Sequence, residues 1–249
     1  MPHSWNSLRR TLLRRVLAPV TVLGLVSVTV QGPASACPLA LIIAMDGSSS
    51  VDAREHALQL QGLAHALQDP EVVDAISSVG GIWFSSFEWS GRYQQVMQVD
   101  WSFLDGEESA KAAAAKLARS GRSFNEFPTA LGYALGYAAI HLNKVPEKCA
   151  RRVIDVAGDG VNNEGFGPAS AYHAFPFEGI VVNGLAIKGA KPDPVAYYRH
   201  SVIRGPGSFV EVANNFDDYA SAMKRKLLRE VGTSYYTELQ PRKGVQDLR

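Results

Sequence analysis

The chain has 249 residues, 46 % of them apolar and 20 % charged, and its 25 basic against 24 acidic residues leave a formal net charge of +1. That composition can bury an ordinary globular core. It excludes the basic footprint of a nucleic-acid binder, and no long basic run marks a membrane-surface patch. First along the chain come Arg9, Arg10, Arg14 and Arg15, then an apolar run over residues 16–30, then Ala34-Ser35-Ala36. A charged region, a short apolar region and a small-x-small site together read as a secretory signal peptide over residues 1–36, cleaved after Ala36. An apolar run of about 15 residues falls short of the roughly 20 that a spanning helix needs, so no membrane span is expected once the leader is removed. Residues 9–14 also faintly resemble a twin-arginine export signal. The reading places the protein in the periplasm or outside the cell.

Cys37 would be the first mature residue, and Cys149 is its only companion. The residues before Cys37 match a lipoprotein signal poorly, and two cysteines in an exported chain more often pair with each other.

Beyond Cys37 apolar runs alternate with helical patterns. Residues 39–45 are continuously apolar, as in a strand buried on both faces. Residues 52–67 read as a helix, with Asp52 and Glu55 as a capping box and Ala57, Leu60, Ala64 and Leu67 on one face. Residues 81–89 and 93–101 are β-prone, and the short link Ser90-Gly91-Arg92 can join only antiparallel neighbours. Helices follow over 106–118 and 129–142, and buried strands over 152–157 and 179–187. A short strand over 208–212 and a last helix over 216–231 complete the pattern, and residues 232–249 read as a loose tail. Strands alternating with helices predict an α/β domain over residues 37–231, a doubly wound, mostly parallel, Rossmann-like sheet with helices on both faces.

The first buried strand runs into Asp46-Gly47-Ser48-Ser49-Ser50. A carboxylate followed by hydroxyls two and four positions on can aim three oxygens at one point, which suits a hard cation such as Mg²⁺; the same residues could simply cap a helix. Thr129 follows Pro128 at a helix start, and the strand over 152–157 ends in Gly158-Asp159-Gly160. In open α/β sheets ligands bind outside the carboxyl ends of strands, where Asp46 and Asp159 both fall. Asp155, inside its strand, reads as a structural hydrogen-bonding group. Trp83, Phe87 and Trp89 share one strand face and read as core. The six histidines (His3, His56, His65, His141, His173 and His200) show no zinc-ligand spacing, and there is no nucleophile elbow, P-loop or dinucleotide fingerprint.

The combination resembles the von Willebrand factor type A domain, whose metal-ion-dependent adhesion site is Asp-x-Ser-x-Ser with a distant Thr and a distant Asp. Asp46, Ser48, Ser50, Thr129 and Asp159 fill all five positions. More closely, residues 39–51, 152–163, 182–187 and 202–210 resemble an uncharacterised exported bacterial family related to that domain. Phe127-Pro128 stands where the adhesion-site pattern more usually has a glycine-rich loop. The resemblance implies a six-stranded sheet of order 3-2-1-4-5-6 with an antiparallel edge strand. It makes the strands ending in Asp46 and Asp159 neighbours, which brings Cys37 and Cys149 to adjacent amino ends, one residue out of step, where a disulfide can form. It also implies one Mg²⁺ or Mn²⁺ and a protein partner offering an exposed Asp or Glu. A non-enzymatic, metal-dependent adhesion or protein-binding module is the leading expectation, because no general base accompanies the five residues. The alternative is a metal-dependent hydrolase or phosphoryl-transfer enzyme on the same fold.

Overall fold

A computed structural model describes residues 37–238. The expected leader, 1–36, and the last part of the expected tail, 239–249, lie outside the described residues. β1 (Cys37–Asp46) is followed by α1 (Ala53–Gln68), α2 (Pro70–Ser78), β2 (Ile82–Trp89) and β3 (Gln95–Leu104). Next come α3 (Glu107–Ser120), α4 (Leu131–Leu142), β4 (Cys149–Gly158), α5 (Pro168–Ala174) and β5 (Ile180–Ile187). α6 (Pro194–Tyr197) runs into a π-helical turn, Tyr198–Val202, before β6 (Val210–Ala213), a 3₁₀ turn at Phe216–Asp218, and α7 (Tyr219–Glu238). The sheet order is β3-β2-β1-β4-β5-β6, with only the β2–β3 pair antiparallel. This is the order and edge strand that the resemblance implied.

β1 lies at the centre, and its alternation divides the core. Leu39, Leu41, Ile43 and Met45 pack with α1, α2, α3 and α7, while Ala40, Ile42 and Ala44 pack with α4 and α5. All seven are fully buried, and burial of each Leu or Ile contributes about 1.5–3 kcal/mol. Trp83, Phe87 and Trp89 lie together against the α4 side, as expected of a shared strand face. The Asp52–Glu55 capping box is formed in both directions, at 2.7 and 2.8 Å. Gln95 rather than Tyr93 begins β3, because residues 90–94 are taken up by the turn.

Three helices were not anticipated. α2 is short, but its start was written in the sequence: Asp69 accepts the Glu71 amide at 3.0 Å and Pro70 occupies the first turn, as a capped helix entry requires. α5 and α6 span seven and four residues, too few to show a helical period. α7 begins three residues later than expected and extends beyond Val231 to Glu238. No proline falls within Tyr219–Glu238 to interrupt it.

Cys37 and Cys149 are register partners on β1 and β4, with Cα atoms 4.3 Å apart, and form a disulfide. The one-residue mismatch falls at the other end of the strands: Met45 pairs with Ala157, so Asp159 stands one step past the row of Asp46.

Candidate metal centre

Both key carboxylates stand where strands stop. Asp46 is the last residue of β1 and is completely buried; Asp159 follows β4 and is 7 % exposed. After Asp46 the chain folds back on it, since the Ser48 amide donates to Asp46 Oδ1 at 2.8 Å. That turn directs Ser48 and Ser50 to the same side. Their Oγ atoms are 3.2 Å apart, Ser50 Oγ donates to Asp159 Oδ1 at 2.9 Å, and Thr129 Oγ1 donates to Ser48 Oγ at 3.2 Å. All five expected residues are thus gathered in one cluster, although they come from three separate parts of the chain.

Thr129 is held from outside its own loop. Its amide donates to Asn163 Oδ1 at 2.8 Å, and its carbonyl accepts from the amides of Asn163 and Glu164 at 3.0 and 3.2 Å. The amide of Gly132 donates to Asn162 Oδ1 at 3.2 Å. Phe127 contributes its carbonyl, which accepts from the Ser49 amide at 2.8 Å, so the unusual Phe127-Pro128 segment is compatible with the threonine's position.

Other supporting residues gave little signal in the sequence. Arg122 Nη2 donates to the carbonyls of Val51 and Ser48 at 2.6 and 3.2 Å, pinning the loop after β1. Buried Glu88 accepts from the amides of Ser123 and Phe124 at 3.1 and 3.2 Å and pairs with His56 Nε2 at 2.9 Å. Both act across long stretches of chain, which no local pattern reveals. Asn162-Asn163, one residue beyond Gly158-Asp159-Gly160, is a readable loop signal because asparagine side chains commonly bond nearby backbone. Tyr198 is buried in the crossover to β6, with its hydroxyl near the Asp46 carboxylate: a Cβ on Gly158 would lie 2.7 Å from both Tyr198 Oη and Asp46 Oδ2. A larger residue there would have to displace both side chains.

The electrostatics single out Asp46. Burial, and then the Asp159 carboxylate, push it up to about 7; burial also raises Asp159. Among the described residues Asp46 Oδ2 has no hydrogen-bond partner although it is buried, which is costly unless something else compensates it. Among the described residues no group of three or more His, Cys, Asp or Glu converges to hold a metal. The cluster offers two carboxylates and three hydroxyls, so it depends on neutral oxygens. An all-oxygen set with an uncompensated buried carboxylate fits a hard divalent cation that keeps some of its water.

Asp155 is different. Lys226 Nζ lies 2.7 Å from its Oδ1 and 3.3 Å from Glu230 Oε1, and Asn183 Nδ2 donates to that Oε1 at 2.6 Å. Burial and Glu230 push Asp155 well above the usual carboxylate range, while Lys226 opposes them. The structural role expected of Asp155 takes the form of an ion pair with α7. Of the described histidines, His56 and His141 are buried and His65, His173 and His200 exposed; none belongs to the five-residue cluster.

The family described as "Protein of unknown function (DUF1194)" matches residues 36–235. No curated protein matches the sequence. Among solved structures, proximal thread matrix protein 1 from the mussel byssus is similar, with TM-score 0.58, 15 % identity, and coverage of 79 % of this chain and 48 % of that one. The same mussel protein with a zinc-occupied MIDAS motif matches with TM-score 0.56 and 14 % identity over 79 % of this chain and 48 % of that one. A von Willebrand factor type A structure from Catenulispora acidiphila has TM-score 0.57 and 15 % identity, over 80 % of this chain and 43 % of its own. The chain therefore spans about half the length of these structures or less, and at such identities the likeness shows the fold: a von Willebrand factor type A-like one.

Proposed function

The chain belongs to the DUF1194 family, and from that premise and the strand-end geometry we propose that it is an exported, metal-dependent protein-binding module. Asp46, Ser48, Ser50, Thr129 and Asp159 would hold one divalent cation, Mg²⁺ or Mn²⁺, some of them through water. An ion held there would offer a coordination position to an exposed Asp or Glu of a partner protein. The observation that carries this reading is the Thr129–Ser48–Ser50–Asp159 hydrogen-bonded chain beside a buried Asp46 Oδ2 that has no hydrogen-bond partner among the described residues. The zinc-occupied site of the mussel protein supports metal binding at this position of the fold. Export to the periplasm or beyond is supported by the disulfide, which persists in oxidising compartments, and by the leader read in the sequence. No helix among the described residues is long and apolar enough to cross a membrane.

The hydrolase or phosphoryl-transfer alternative has one observation in its favour: Arg54 and Lys188 line a cleft together with Ser50 and Asp159, as a charged clamp would. Among the described residues no histidine lines that cleft to serve as base. Calorimetric titration of Mg²⁺ and Mn²⁺ into the full chain and into Asp46→Ala is the test. One ion should bind to wild type and none to the variant, with the fold intact by circular dichroism. Absence of binding at millimolar ion removes the reading, and Asp46-dependent turnover of a phosphate or ester favours the enzyme.

A further inference from the structure

Beside the five-residue cluster the surface opens into a cleft of about 520 Å³, lined among others by Ser50, Asp159, Arg54, Glu55, Lys188 and Asp217. That volume suits a few side chains rather than a folded element. Its charged groups are not equivalent. Arg54 is committed to Asp217, with Nη2 2.5 Å from Oδ1. Glu55 accepts the Asp52 amide at 2.8 Å and completes the cap of α1. Lys188 has only a neutral acceptor, Asn214 Oδ1 at 3.4 Å, and among the described residues it pairs with no carboxylate.

The backbone fixes where this lysine stands. β4 and β5 are parallel with Gly158 opposite Ala186, so Lys188 lies one step beyond the position beside Asp159, on the adjacent strand end. Its amide donates to the Ala213 carbonyl at 3.0 Å, which anchors the base of the side chain. The ammonium is exposed at the end of a long flexible stem.

Resting on the metal-dependent reading above, the geometry points to Lys188 as a second anchor, and to a ligand segment carrying two carboxylates, one for the ion and one for Lys188. An ion's two positive charges would balance Asp46 and Asp159, and Arg54 is matched by Asp217, which leaves Lys188 as the cleft's cation with no carboxylate beside it among the described residues. A ligand with a single carboxylate would leave it so. Two sources supply the required chemistry: two neighbouring acidic side chains within a chain, or an acidic C-terminal residue with its own terminal carboxylate.

Three short peptides separate these cases when titrated into the full chain loaded with Mn²⁺, with ion uptake and peptide proton relaxation both recorded. One carries a single Asp and is blocked at both ends, one is blocked and carries Asp-Asp, and one ends in Asp with a free carboxylate. At least one two-carboxylate peptide should bind about 5-fold more tightly than the single-Asp peptide, the worth of a partly exposed ion pair. That advantage should vanish in Lys188→Ala and persist in Lys188→Arg, and the tighter of the two peptides identifies the source. If Mn²⁺ is taken up but the advantage is absent, or survives Lys188→Ala, the Lys188 anchor is overturned while the metal centre stands. If Mn²⁺ is not taken up, the metal centre falls and the anchor with it.

Discussion

Asp155 and Asp159 lie four residues apart along β4 and its end, both buried, yet the fold compensates only one of them. Asp155 meets Lys226 at 2.7 Å within a network that also ties Glu230 to Asn183 and, through its backbone carbonyl, to Arg151 at 2.7 Å. Asp159 and its neighbour Asp46 meet hydroxyls and amides, and among the described residues neither pairs with a cation. A buried carboxylate with its counter-charge supplied by the chain serves the architecture. One without it has a place for a charge from elsewhere.

Breaking the compensated cluster should have the largest effect. Lys226→Met leaves Asp155 and Glu230 buried without their ammonium and should cost about 3–5 kcal/mol, read as a lower midpoint in urea unfolding. Opening the amino end of the same strand pair, with Cys37→Ser and Cys149→Ser together, should cost about 2–5 kcal/mol. Mg²⁺ affinity should change little, because the disulfide lies at the opposite end of β1 and β4 from Asp46.

The uncompensated cluster should respond with the opposite sign. In chelator at about pH 8, above the raised Asp46 value of about 7, Asp46→Asn removes a buried charge that pairs with no cation among the described residues, and the melting temperature should rise slightly or stay level rather than fall. Saturating Mg²⁺ at 100-fold over its dissociation constant should stabilise wild type by about 2.7 kcal/mol and the variant hardly at all. If Asp46→Asn instead destabilises the chelated protein as severely as Lys226→Met does the network, the contrast between the clusters is lost.

His141 is an intermediate case and should show the smallest effect. Burial lowers its pKa, and the Asp100 carboxylate 3.4 Å away offsets this only in part. With the folded value below the unfolded one, the neutral ring is favoured in the fold, so its contribution is complete above about pH 6.5 and is lost as pH falls through the folded value. Comparing urea midpoints at pH 8 and pH 5, His141→Gln should show less loss than wild type.

Much of this protein could be read along the chain, because the signals concerned are local. The apolar run before Asp46, the Asp52–Glu55 cap and the tight Ser90-Gly91-Arg92 link each act within a few residues, and strand-to-helix alternation follows from them. Of the five candidate residues, Asp46, Ser48 and Ser50 were legible as a turn at a strand end, while Thr129 and Asp159, far along the chain, were joined to them through the resemblance to the von Willebrand factor type A pattern. Tertiary structure decided what depends on distant partners. Lys226, on α7, supplies the charge that separates Asp155 from Asp159; Asn163 fixes Thr129; Arg122 pins the loop after β1; and Lys188 reaches the cleft only because β5 ends beside β4. Nothing in the residues around Asp155 announces a lysine 71 positions later. Position within the strand set Asp155 apart in the sequence, but electrostatic compensation acts through space rather than along the chain, so only the packed sheet shows which carboxylate the chain supplies with a counter-charge.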